Sequence, residues 1–81
     1  MNMPKPATGT FVVCTDSTED NVDLLVGKLY RVFKPEKNDP PSMLRVIDDS
    51  GEDYLYSIEW FAPVDLPLKV RRKLLTATAA V

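Results

Sequence analysis

The densest supply of chemical groups in this chain is "IDDSGEDYLYSIEWF", residues 47 to 61, where Asp48, Asp49, Glu52 and Asp53 surround Gly51 and run into Tyr54, Tyr56 and Trp60. Clustered carboxylates suit a hard cation such as Ca²⁺, which takes several oxygen ligands at close range. With Gly51 as the sixth residue of an EF-hand loop, however, the first ligand would fall on Val46, whose side chain has no oxygen. The cluster reads instead as a hairpin turn with solvated carboxylates, since Asp, Ser and Gly are turn formers. No metal site and no cofactor is expected.

The aromatic residues offer a second chemistry. Tyr30, Tyr54, Tyr56, Trp60 and Phe61 have the composition of a cage for a cationic ligand, as in barrels of the Tudor kind. On a strand, Tyr54 and Tyr56 share one face and Leu55 takes the other. With Leu55 inward, both tyrosines point outward and can join Trp60 in an exposed patch, which monomers rarely carry without a use. Asp16, Glu19 and Asp20 in an upstream loop would then favour a basic partner. The bland reading is that a C-terminal helix covers the aromatic patch.

A third group, Lys69, Arg71, Arg72 and Lys73, has the charge to meet phosphates. Against that stands an acidic body: residues 1 to 65 hold twelve acids and six bases, and residues 66 to 81 hold four bases and no acid. With a sequence pI near 4.9, the chain as a whole repels a polyanion. A solvated helix face is the ordinary role of such a run.

Catalysis has little to draw on. There is no histidine to act as a general base near neutral pH. Cys14 lies inside an apolar strand pattern, where a small buried hydrophobe is expected rather than a nucleophile. Carboxylate pairs lie in loops with nothing to desolvate them. Neither a phosphate-cradling glycine loop nor a metal-spaced Cys/His set is present. A non-enzyme is expected.

The elements that must position these groups belong to one domain. A chain of 81 residues buries only about 60% of the surface its unfolded form exposes, which leaves no room for a deep cleft. A hydrophobic fraction of 44% and a charged fraction of 27% are those of an ordinary globular protein. The single cysteine cannot form an internal disulfide, and a small domain of an oxidising compartment usually carries several. "MNMPKPATG" lacks the basic head and apolar run of a signal peptide, and no stretch approaches the ~20 apolar residues of a membrane span. The expectation is a cytoplasmic protein without membrane association, either a monomer or a weak homo-oligomer.

Along the chain, "TFVVCT" (10 to 15) reads as a first strand and "GKLYRVFK" as a second, with period-2 alternation on a β-branched and aromatic background. "PEKNDPPS" breaks the chain. "MLRVID" and "EDYLYS" form a hairpin around "DSG", with Gly51 free to take the positive φ such turns demand. "IEW" suits a single 3₁₀ turn. "FAPV" is a fifth short strand, with Pro63 at an edge or an end. Asp65 is a candidate N-cap, and Leu66, Val70 and Leu74, with Leu75 and Thr78 beside them, form the apolar stripe of a helix.

This order of pieces, and several strings within it, resembles an SH3-like barrel. "TFVVCTD" resembles the opening strand that leads into the ALYDY motif. "DLLVGKLYRV" resembles the diverging turn that follows the RT loop, with Gly27 at the turn glycine and Tyr30 and Val32 at inward positions. "MLRVIDDSGEDYLYSIEWFAPVD" resembles the distal hairpin, 3₁₀ turn and last strand. The chain also resembles small bacterial and phage proteins that share a "GKxYxV" strand followed by "IDDSGEDYLY", a likeness that implies no activity.

The SH3 resemblance implies a mainly β fold: a five-stranded SH3-like barrel over 10 to 65 with a C-terminal α-helix and tail over 66 to 81, after a flexible leader over 1 to 9. It does not extend to the usual ligand. The ALYDY tyrosines fall on Thr15 and Ser17, the groove tryptophan on or near Ser42 and the groove proline on Ser57, leaving only Trp60 aromatic. A groove without stacking surfaces is not expected to bind PxxP peptides.

The function expected is therefore a non-catalytic protein-interaction or assembly module for an unknown partner, with Tyr54, Tyr56, Trp60, Asp16, Glu19 and Asp20 as contact residues. The alternative is a nucleic-acid-binding accessory protein that uses Lys69, Arg71, Arg72 and Lys73. A third option is self-association through the aromatic patch.

Overall fold

The computed structural model describes residues 5–77. Strands β1 (Phe11–Cys14), β2 (Leu29–Val32), β3 (Met43–Ile47) and β4 (Asp53–Ser57) are followed by a 3₁₀ turn (Ile58–Trp60), β5 (Phe61–Val64) and helix α1 (Leu68–Ala77). The chain is thus mainly β with one C-terminal helix. The 3₁₀ turn and β5 occupy the residues expected of them, while Thr10 and Thr15 fall just outside β1. The first residues of the expected leader and the tail from Thr78 lie outside the described residues.

All strand pairs are antiparallel, in the order β4-β3-β2-β1-β5. The sheet is open: β4 and β5 are its edges, and among the described residues no ladder joins them. It nevertheless curls strongly. At about 4.8 Å per neighbouring pair, the two edges of a flat sheet of this size would stand about 19 Å apart. The link Ile58–Trp60 is three residues long, and even drawn out straight the chain from Ser57 to Phe61 spans only roughly 14 Å. The Tyr56 ring on one edge strand and the Phe61 ring on the other meet edge to face, with centroids 6.4 Å apart.

The inner face follows from the alternation in the sequence. Val12, Cys14, Tyr30, Val32, Leu44 and Val46, joined by Leu24 from the loop between β1 and β2, form the buried core, and Tyr56, Ile58, Trp60 and Phe61 pack against it. Each fully buried aliphatic side chain contributes about 1.5–3 kcal/mol. Pro63 stands opposite Val12 on the edge strand β5, where a missing N–H costs no interior ladder bond.

On the opposite face Arg45 pairs across the ladder with Leu55. Its guanidinium donates to both carboxylate oxygens of Asp39, at 3.0 and 2.8 Å, and to Asp53 at 2.8 Å. The proline-broken loop before β3 is thereby fastened to the sheet by a bidentate ion pair, a geometry that suits arginine alone among the basic side chains.

The helix differs from the expected stripe. Leu66, Leu74 and Leu75 are half-buried as expected, but Val70 is exposed and its inward place is taken by Arg71. The first helical hydrogen bond runs from the Arg71 N–H to the Pro67 carbonyl, so the cap position falls on Pro67 rather than Asp65. No helix among the described residues is long and apolar enough to cross a membrane.

Candidate interaction surface

The acids of the hairpin turn are ties between loops. Asp48 is buried, and its carboxylate accepts the Tyr56 hydroxyl at 2.6 Å, the Ser50 N–H at 2.9 Å and the Ser50 hydroxyl. The turn is closed by the Gly51 N–H donating to the Asp48 carbonyl at 3.0 Å, with Gly51 at φ +85°, a conformation that favours glycine. Asp49 accepts the Tyr30 hydroxyl at 2.8 Å and forms an ion pair with Lys28. The Lys28 ammonium also lies 5.7 Å from the centroid of the Tyr30 ring. The solvated carboxylates expected from turn chemistry are, at Asp48 and Asp49, occupied by phenols of the core face.

These contacts fix the long loop between β1 and β2. The Leu25 N–H donates to the Tyr30 hydroxyl at 2.7 Å, and the Asp49 N–H donates to the Asp23 carbonyl at 3.0 Å. At its ends, Thr15 N–H donates to the Trp60 carbonyl and Gly27 N–H to the Cys14 carbonyl, each at 2.7 Å. Leu24 is the loop's buried anchor.

Burial pushes the Tyr30 hydroxyl up to about 12, with the neighbouring Asp49 carboxylate adding to the effect. Tyr56 is raised further, again by burial first and then by Asp48. Both phenols are therefore neutral donors at any ordinary pH. Cys14 is also pushed up by burial and its thiol lies 3.1 Å from the Asp16 carbonyl, in keeping with a core residue rather than a nucleophile.

The expected contact residues separate into two groups. Tyr56 stands opposite Leu44, and Tyr54 opposite Val46, so the register places both tyrosines on the core face while Leu55 shares the outer face with Arg45. The condition for an outward-pointing tyrosine pair is not met. Tyr56 and Trp60, with ring centroids 6.2 Å apart, are half-buried against the core, and Tyr54 reaches past it to the surface, its hydroxyl on Glu52 at 3.2 Å. Asp16 is adjacent to Trp60, whose carbonyl its N–H approaches at 3.4 Å, and Glu19 and Asp20 are exposed farther along the same loop.

Sequence reasoning missed the apolar part of this surface. On the loop, Val22 is 86%, Leu25 63% and Val26 56% exposed, although the backbone around them is held to the core. The signal was the string "NVDLLV", four large aliphatic residues in a loop with room in the core for one. Of the basic residues, Lys69, Arg72 and Lys73 are exposed on α1 while Arg71 is half-buried. Among the described residues, the salt bridges are those of Lys28 and Arg45, and none involves the helix.

Comparison with protein-family models, with curated proteins and with solved structures finds no match for this chain.

Proposed function

We propose that this chain is an SH3-like barrel acting as a non-catalytic protein-interaction module, with the loop from Asp16 to Val26 and the neighbouring Tyr54 and Trp60 as its contact surface. The observation that carries the reading is the loop itself: three large aliphatic side chains held out in solvent by a backbone tied down at Asp23, Leu25 and Gly27 and anchored by the buried Leu24 side chain. A fixed loop loses little conformational entropy on binding, and exposed apolar groups rimmed by charge are the usual composition of a docking site. The rim here is Asp16, Glu19, Asp20 and Asp23, with no base between Thr15 and Gly27, which selects a basic partner with some apolar side chains. The barrel part of the reading is supported by the curl of the sheet and by the hairpin, 3₁₀ turn and short last strand in succession.

The test is selection from a displayed library of random peptides against the immobilised protein and against its Val22→Ser/Leu25→Ser variant. Enrichment of basic, aliphatic-containing peptides on the wild type alone is expected; no enrichment, or equal enrichment on both, would overturn the reading.

A second reading, nucleic-acid binding through α1, is favoured by the three exposed bases Lys69, Arg72 and Lys73, which have no internal acid partner among the described residues. Titration of a labelled oligonucleotide at rising salt decides it: affinity that falls steeply with salt, and disappears in Lys69→Glu/Lys73→Glu, would move the function to the helix.

A further inference from the structure

Two surfaces that are exposed among the described residues are complementary to each other. The loop from Thr15 to Gly27 carries four acids and no base, and α1 from Leu68 to Ala77 carries four bases and no acid. Both expose aliphatic side chains: Val22, Leu25 and Val26 on the loop, Leu68 and Val70 on the helix. Leu68 and Arg72, and likewise Lys69 and Lys73, are four residues apart and so are neighbours on the helix surface, forming a compact apolar and basic patch.

Within one molecule the chain departs towards these surfaces from opposite ends of β1. Cys14 pairs with Phe61 at the end where the loop leaves, and Phe11 pairs with Val64 at the end from which the chain runs on to α1. Among the described residues no ion pair joins the helix to the loop.

From this we infer that α1 of one copy docks on the Asp16 to Val26 loop of a second copy, in a head-to-tail association of this chain with itself. The inference rests on the loop being a contact surface and names its occupant. Because the two faces differ, the contact is heterologous, and a pair of copies still has one free loop and one free helix, so association propagates into short chains rather than stopping at a symmetric dimer. The patch is small and its complementarity largely ionic, which makes the association weak and sensitive to salt.

Sedimentation equilibrium of the full chain, from micromolar concentration to about 1 mM, tests this directly. The average mass of the wild type rises with concentration and falls back towards the monomer in about 1 M salt. Val22→Ser/Leu25→Ser, which spoils the loop, and Lys69→Glu/Lys73→Glu, which spoils the helix, are each monomeric alone, with unchanged circular dichroism because all four positions are exposed. Mixed together they form a one-to-one complex, since each retains the face the other lacks. A wild type that stays monomeric throughout, or a helix variant that associates as the wild type does, overturns the inference. If peptides still select on the wild-type loop in that case, the loop remains a contact surface for another protein; if they do not, both readings fall together.

Discussion

The Tyr30 hydroxyl donates to Asp49 at 2.8 Å while accepting the Leu25 N–H at 2.7 Å, so one phenol of the core connects the hairpin turn to the loop between β1 and β2. The same turn grips a second phenol, Tyr56, through Asp48. A stretch that looks like a cation site in the sequence is the fastening that holds an exposed loop in one shape. Removing the Tyr30 oxygen leaves the Leu25 N–H without its acceptor and Asp49 without one donor. Tyr30→Phe should therefore cost about 1–3 kcal/mol. For a domain of this size each kcal/mol lowers the thermal midpoint by about 4–8 °C. Hydrogen exchange at the Leu25 amide should speed up in the variant by more than the loss of global stability accounts for. An unchanged rate would mean that the phenol does not hold the loop.

Alkali should break the same fastening. The Tyr30 hydroxyl is raised from the ordinary phenol value of 10.0 to about 12, so its contribution to stability is intact below about pH 10 and is lost as pH rises towards 12. Tyr56 shifts in the same direction. Tyrosinate absorbance and circular dichroism followed together should show these phenols ionising only as the fold is lost. Full ionisation at the ordinary phenol pH with the β signal intact would contradict the two contacts.

Acid should act on the other face of the sheet. The Arg45 guanidinium, by direct hydrogen bonding, holds Asp39 down at about 2, against an ordinary value of 3.8. A depressed carboxyl contributes stability that is present above about pH 4 and is lost as pH falls towards 2. Urea midpoints measured between pH 5 and pH 2 should fall through this window. Arg45→Met should be less stable at pH 5 and should lose the part of the slope that belongs to Asp39. A slope identical to that of the wild type would show that the ion pair does not govern acid stability.

Much of the fold was legible in the sequence because local signals and packing agree. Alternation in "LYRV" and "MLRVI" marks strands half-facing a core, "DSG" can close only as a tight turn, and "IEW" is too short for anything but a single helical turn. The orientation of "DYLYS" was not legible. A period of two says that Tyr54 and Tyr56 share a face without saying which, and the choice is made by the register of β4 on β3 and by Asp48 receiving the Tyr56 hydroxyl. The helix stripe was misplaced for a related reason: which side of a short helix is covered is decided by its docking, and the half-buried positions are Arg71, Leu74 and Leu75, with Val70 exposed. The loop surface was missed because exposure of Val22, Leu25 and Val26 follows from tertiary ties at Tyr30, Asp49 and Trp60, which no local pattern records.

The most direct test of the contact surface is calorimetric titration of a selected basic peptide into the wild type and into Val22→Ser/Leu25→Ser, with the thermal midpoint of each protein recorded. Since exposed substitutions change stability by only about 0.5 kcal/mol or less, the two midpoints should agree closely. Affinity should drop at least tenfold in the variant, because the aliphatic side chains that enter the contact are gone. Equal affinity in the two proteins would contradict a loop-centred surface, and so would a loss of binding accompanied by an equal loss of fold.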